Sequence, residues 1–316
     1  MTRRGSPRWA VADPATRSGA ARRDPFVEVS RGRMHVVMAG AGPPVVLLHG
    51  WPGFWFDYRN VIRLLAPSRL VLAPDFFGFG YSDVLDGDPV EIADEESFAR
   101  DLIELLDALG IDRAVIAGHD IGSAVGAAVA RAAPDRVRGL VLMNPTHPFI
   151  GAKRDTPEMQ REAWYQHFHL LPLAEALLDG NRKAIELYLG HLYTHWAGDA
   201  RIGQRELKTI VDAYARPGAF AASLAWYRAR AVRRRRLDRP APVGVPTIAL
   251  WGDRDPMRPL EHREGFELAF PLSESRVLSG VGHFVPSEAP GAVAAAVKEL
   301  PAALINHSDS REVGHG

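Results

Sequence analysis

Apolar residues in this chain come in short unbroken runs. Residues 44–48, 69–75, 114–117, 137–144 and 247–252 each carry one, rich in Val, Ile, Leu and Ala. Runs without polar alternation mark strands buried on both faces of a parallel sheet. Before them, residues 26–29 and 34–38 alternate in character around Ser30-Arg31-Gly32, as a hairpin does. Between the runs the period lengthens: 54–65 and 97–109 read as helices, the second stopped by Gly110, and an alanine-rich helix follows at 124–133. Residues 137–144 form the sixth strand, closed by Pro145. The alternation then breaks off until about residue 240, where a long helical stretch rich in Trp and Tyr intervenes. Pro240, Pro242 and Pro246 bring the chain back to a strand that enters the acidic loop Asp253-Arg254-Asp255. Residues 276–278 lead to Gly280-Val281-Gly282-His283, and 292–304 supply a closing helix. The pattern predicts an α/β fold with a mostly parallel central sheet, flanked by helices and interrupted by a helical insertion.

Composition narrows what such a fold can do. With 316 residues and 47% hydrophobic content, there is material for a large core. Thirty-eight basic residues balance 38 acidic ones, so no overall field draws the chain to nucleic acid or an anionic membrane. Arg228, Arg230, Arg233 to Arg236 and Arg239 cluster, and read as a solvated helix end rather than a nucleic-acid patch. There is no cysteine, hence no disulfide framework and no thiolate zinc site. Residues 1–24 carry several arginines but no apolar core of signal-peptide or membrane-span length; the expectation is a disordered leader on a cytoplasmic protein.

The chemistry gathers around Gly118-His119-Asp120-Ile121-Gly122, where an apolar strand turns sharply through two glycines into a helix. Such an elbow lifts a nucleophile above the sheet, and here the position holds Asp120, with Ser123 already inside the helix. Serine attacking a saturated carbon would form an inert ether. A carboxylate forms an ester that water can cleave, so Asp120 points to an electrophilic sp3 carbon such as an epoxide or alkyl halide. An elbow enzyme also needs two backbone N–H donors for the oxyanion. Trp51, in the loop His49-Gly50-Trp51-Pro52-Gly53, and Ile121, after the nucleophile, are the candidates. A plain turn around an X-Pro bond explains the same loop equally well when it is taken alone. Asp120, Asp255 and His283 follow in the order nucleophile, acid, base, each beyond the C-terminal end of a predicted strand. His49 and His119 read as residues that order backbone and His147 as one at the entry to the insertion. His191 and His195, spaced i, i+4, lack the glutamate of a zinc helix.

Over residues 25–304 the sequence resembles the epoxide hydrolase and dehalogenase branch of the α/β-hydrolase superfamily, closest to the epoxide hydrolases. His49-Gly50-Trp51-Pro52 resembles its oxyanion motif, residues 118–122 its nucleophile motif, Trp251-Gly252-Asp253-Arg254-Asp255 its acid loop and Gly282-His283-Phe284 its base loop. The resemblance implies Asp255 as the acid ahead of Asp253. It also implies an α/β-hydrolase core (25–144 and 241–305), a helical cap (145–240) and a flexible tail (306–316). Within the cap it implies that Tyr165 and Tyr227 hydrogen-bond an epoxide oxygen. The expected activity is hydrolysis of a small-molecule epoxide to a vicinal diol through an ester on Asp120. It needs neither cofactor nor metal, in a monomer or homodimer that binds neither nucleic acid nor membrane. A haloalkane or haloacid dehalogenase with the same nucleophile is the alternative. Against it, Ile121 stands where haloalkane enzymes place Trp, and Ile121 and Ala124 where fluoroacetate dehalogenases place arginines. Indole donors from Trp51, Trp55, Trp164 or Trp226 remain open to it. A non-catalytic binding module is more remote, because Asp120, Asp255 and His283 are all present.

Overall fold

A computed structural model describes residues 22–233 and 240–309. Eight strands form one sheet: β1 (Phe26–Val29), β2 (Gly32–Ala39), β3 (Pro44–Leu48), β4 (Leu70–Pro74), β5 (Ala114–His119), β6 (Val137–Met143), β7 (Thr247–Gly252) and β8 (Ser273–Leu278). Their order across the sheet is β1-β2-β4-β3-β5-β6-β7-β8. The hairpin strand β2 joins β4 antiparallel, and every pairing from β4 to β8 is parallel. The apolar runs are the central strands, as their patterning requires; β3 to β7 are buried along nearly their whole length.

Helices cover both faces. Those of the core are α1 (Arg59–Leu65), α2 (Glu95–Ala108), α3 (Ile121–Ala132) and the closing α8 (Pro290–Asp309). A Cβ on Gly139 would meet Leu300 of α8, whereas its neighbour Leu140 lies against Gly126 of α3. Successive strand residues point to opposite faces, so α3 and α8 lie on opposite sides of the sheet. Helix α2 starts two residues earlier than its apolar period suggests, because the Asp94 carboxylate caps it by accepting the Ser97 N–H (2.7 Å). Helix α8 runs through Asp309.

Between β6 and β7 the described residues form helices and turns. Its main helices are α4 (Trp164–Phe168), α5 (Arg182–His195), α6 (Gln204–Tyr214) and α7 (Ala225–Arg233). Ile185, Leu189, Leu192, Ile210, Val211 and Tyr214 bury the facing sides of α5 and α6. Of the arginine cluster, Arg228 pairs with Glu175 (2.6 Å), while 234–236 and 239 lie outside the described residues, as does most of the expected leader. Among the described residues no helix is long and apolar enough to cross a membrane.

One strand carried no apolar signal. The edge strand β8 reads Ser-Glu-Ser-Arg-Val-Leu, with Arg276 bridging Glu274 and Glu299 (both 2.7 Å). An edge strand needs little burial, and charges there discourage pairing with other chains.

The β5–α3 turn depends on two glycines. A Cβ on Gly122 would stand 2.1 Å from the Leu48 carbonyl oxygen, and one on Gly118 2.2 Å from that of Gly122. Both obstacles are backbone and cannot swing aside. Gly126, one turn on, faces side chains alone, the nearest that of Ile116 at 3.2 Å. Gly122→Ala is therefore expected to cost at least about 2 kcal/mol through overpacking. Gly126→Ala is expected to stay within about 1 kcal/mol of the parent, because the helix propensity it gains offsets mild crowding. Denaturant midpoints at unchanged slope measure both, and equal midpoints for the two variants would refute this account of the turn.

Candidate active site

The C-terminal ends of β3, β5, β6 and β7 open toward the helical insertion. Asp120 occupies the turn after β5 with φ 49° and ψ −108°, a left-handed conformation in which its carboxylate stands clear of the sheet. The Trp51 N–H, from the loop after β3, donates to Asp120 Oδ2 at 3.4 Å. Gly50 makes that approach possible, since a Cβ there would lie 2.7 Å from the Asp120 Cβ. Ile121 opens α3 at the next position, so its N–H belongs to the first turn of a helix whose N-terminus favours negative charge.

His283 and Asp255 meet as their order suggested. His283 Nδ1 lies 2.8 Å from Asp255 Oδ2, and Asp255 Oδ1 accepts the Met257 N–H at 2.7 Å. Asp253 lies apart, accepting the Gly280 N–H at 2.8 Å. With Nδ1–H given to Asp255, His283 keeps Nε2 as its free, basic nitrogen.

The histidines of the loop motifs do order backbone. His119 Nε2 lies 2.7 Å from the His283 carbonyl oxygen, and burial pushes its pKa down to about 3, so the ring is a neutral donor. His49 Nε2 accepts the Phe76 N–H at 3.1 Å. His147 meets the His262 carbonyl at 2.6 Å, away from this centre.

Several residues at the site escaped sequence reasoning. Asn144, at φ 45° after β6, accepts the Gly252 N–H and donates to the carbonyls of Gly282 and His283, tying two site loops together. Glu288 gathers the N–H groups of Gly198, Gly282 and Phe284, which seats the His283 loop against the insertion. Arg258, only 5% exposed, donates from Nη2 to Asp120 Oδ1 at 3.2 Å and from Nη1 to the Met257 carbonyl at 2.7 Å. Position 144, before a proline, and a buried Arg three residues past the acid were visible in the sequence, but nothing in their spacing marked them.

Tyr165 in α4 and Tyr227 in α7 come together although they are distant in sequence. Their rings meet at 5.7 Å, and each also packs against Trp51, at 5.6 and 5.5 Å. Burial pushes the Tyr165 phenol up to about 12 and raises Tyr227 well above an ordinary tyrosine, and the Asp120 charge adds to both shifts. His169, also unforeseen, lies 4.5 Å from the Tyr227 ring and bonds the Tyr188 hydroxyl (2.8 Å). The four indoles do not converge on Asp120. Trp51 donates its Nε1–H to Ser223 (3.3 Å), Trp226 stacks on Phe98, Trp164 is 41% exposed, and Trp55 lies under the Arg22 guanidinium.

A family profile described as alpha/beta hydrolase fold matches residues 43–290. The chain belongs to the α/β-hydrolase family. Known relatives of this α/β-hydrolase include haloalkane dehalogenase 2 of Mycobacterium tuberculosis, 32% identical over 87% of this chain and 93% of the relative. The soluble epoxide hydrolase of a Corynebacterium species is 30% identical over 82% of this chain and 90% of its own. Among solved structures, the epoxide hydrolase CorEH superposes with a TM-score of 0.78 at 27% identity, covering 90% of this chain and 99% of that one.

The electrostatics of this α/β-hydrolase are those of a desolvated charge cluster. Burial alone would raise Asp120, but His283, Arg258 and the Trp51 N–H together hold it below the usual carboxylate range. Burial would likewise lower His283, yet the Asp255 charge and hydrogen bond, with Asp120, outweigh it and leave the imidazole above its ordinary value. A folded pKa above the unfolded one means that the protonated ring stabilises the fold. That contribution is complete below about pH 6.5 and is lost as pH rises through the folded value. Asp255→Asn is expected to drop His283 below about 6.5, so that its imidazole proton signals titrate at lower pH. An NMR titration midpoint unchanged from the parent's would overturn this assignment of the shift.

Proposed function

We propose that this α/β-hydrolase opens epoxides to vicinal diols through a covalent ester on Asp120, with no cofactor. The observation that carries the reading is the pair of buried phenols, Tyr165 and Tyr227, packed on the residue whose N–H holds Asp120. Attack by a carboxylate oxygen forms a C–O bond and breaks one epoxide C–O bond, leaving an alkoxide. An alkoxide approaches hydroxide in basicity, and water's pKa is about 15.7. A phenol near 12 therefore protonates it downhill, despite being a weaker acid than free tyrosine. The attack also improves that acid. Asp120 loses its charge on becoming an ester, which removes one of the influences that raise both phenols.

The ester is then cleaved by water. His283 Nε2, with Nδ1–H held by Asp255, takes a proton from water as its oxygen adds to the ester carbonyl carbon. The oxyanion forms on the side of Oδ2, where the Trp51 N–H already points, with Ile121 N–H as the second donor. The acyl–oxygen bond breaks as His283 returns its proton to the leaving alkoxide oxygen, the diol leaves, and the new Asp120 carboxyl gives up its proton to restore the phenol and become a carboxylate again. A dehalogenase would begin the same way, and the haloalkane dehalogenase relative speaks for keeping that reading. Against it stands the need for N–H donors to hold a departing halide, because the indole N–H of Trp51, the tryptophan beside Asp120, is given to Ser223.

Two measurements test the proposal. In heavy-oxygen water under single turnover with styrene oxide, the label is expected in the Asp120 carboxylate and the first diol is expected to be unlabelled; label entering that diol directly would sink the covalent route. Tyr165→Phe with Tyr227→Phe is expected to slow ring opening by about 10²–10⁴-fold, the usual worth of a positioned general acid. Undiminished epoxide turnover in the double variant, or halide release from haloalkanes by the parent without diol formation from epoxides, would favour the rival.

A further inference from the structure

The buried guanidinium of Arg258 sits on the oxygen of Asp120 that the Trp51 N–H leaves free. Trp51 holds Oδ2 and Arg258 holds Oδ1. If Oδ2 becomes the ester carbonyl, Oδ1 is the atom that attacks. A charge-assisted hydrogen bond on that atom withdraws the electron pair the reaction needs. The pairing also fails after attack. Asp120 is then a neutral ester, and Arg258, a buried cation, loses the one carboxylate hydrogen-bonded to it and keeps only the more remote charge of Asp255, an arrangement proteins avoid.

Among the described residues no other carboxylate is placed to hydrogen-bond Arg258 in its stead. Asp255 has its two oxygens committed to His283 and to the Met257 N–H. Arg258 meanwhile has donors to spare. A guanidinium carries five N–H groups; Nη1 serves the Met257 carbonyl, Nη2 serves Asp120, and the buried Nε has no partner among the described residues. The Asp120 side chain is 17% exposed against 6% for Arg258, so the guanidinium is the more buried partner of a pair 3.2 Å apart.

We propose that Arg258 is the substrate-binding residue for a carboxylate, and that the substrates are electrophiles bearing a carboxylate on, or one bond from, the attacked carbon: epoxy acids of the glycidate type. Such a substrate exchanges one counter-ion for another. Its carboxylate takes the guanidinium, Oδ1 is released to attack, and the cation stays paired while Asp120 is an ester. The ion pair neither makes nor breaks a covalent bond; ring opening and ester hydrolysis proceed as above. The inference rests on Asp120 as the nucleophile of the proposed reaction and adds the substrate's charge to it.

The test compares trans-3-phenylglycidate with its carboxamide and with styrene oxide, scored as diol formed. With the parent protein the acid is expected to exceed the amide in kcat/KM by roughly tenfold or more, chiefly through KM. Arg258→Met is expected to erase or invert that order, and Arg258→Lys to keep part of it, since a point charge lacks the planar fork. The acid–amide comparison needs no variant, so it stands even if Arg258→Met folds poorly. An amide as good as the acid in the parent would overturn the inference while leaving the epoxide reading intact. Arg258-dependent halide release from 2-bromopropanoate but not from its amide, with no epoxide opened, would support a carboxylate site and overturn the epoxide reading. Absence of turnover of both acids beside active styrene oxide hydrolysis would overturn the carboxylate site.

Discussion

The backbone of Asp120, held at φ 49° between a strand and a helix, is the constraint on which the remaining site depends. A non-glycine residue in that region costs about 1–3 kcal/mol, so the surroundings must enforce it. They do so by contact. Gly118 and Gly122 let β5, α3 and the end of β3 approach until backbone touches backbone, and the Asp120 N–H is taken by the Met143 carbonyl. No side chain could relax there without a collision. The carboxylate is thereby fixed above the sheet, where neighbouring loops can be built around a stationary charge.

Those loops are placed by a second set of polar ties. Asn144 links the ends of β6 and β7 to the His283 loop, His119 reaches across to the His283 carbonyl, and Glu288 collects three N–H groups from that loop and the insertion. Each satisfies backbone groups that an irregular buried loop would otherwise leave unpaired. The result is that His283 and Asp255, 28 residues apart, meet at 2.8 Å. The helices between β6 and β7 add the aromatic roof in which Tyr165, Tyr227, Trp51 and His169 pack ring against ring.

Legibility in the sequence followed the physics of each element. Strands β3 to β7 were readable because a doubly covered strand must be apolar throughout, and the elbow because its two glycines sit at fixed offsets from Asp120. Strand β8 was not, since an exposed edge imposes no pattern. Local motifs located Asp120, Asp255, His283 and the Trp51 loop. Tyr165 and Tyr227 came only from resemblance, because no local rule says where two helices of an insertion will cross. Arg258 and Glu288 were missed for the same reason in a sharper form. A buried charge is recognised by what it meets in space, and a sequence shows an arginine in a loop as solvated by default.

Arg258 also explains how one cluster can serve two opposite half-reactions. In the free protein the charges of Asp255 and Asp120 favour the protonated form of His283, while Arg258 opposes it. Protonation would disarm the imidazole as a base, so the charges that favour it at rest work against the hydrolytic step. In the proposed reaction, alkylation of Asp120 changes that balance. With Asp120 neutral, one of the charges that favoured the proton disappears and the opposing one remains, so the imidazole's pKa falls when a base is needed. A substrate carboxylate on Arg258 would moderate the swing, leaving Asp255 to orient a ring that is basic without being driven far below its ordinary range. The residue that restrains the nucleophile at rest is thus the one that helps release the base once the nucleophile has been used.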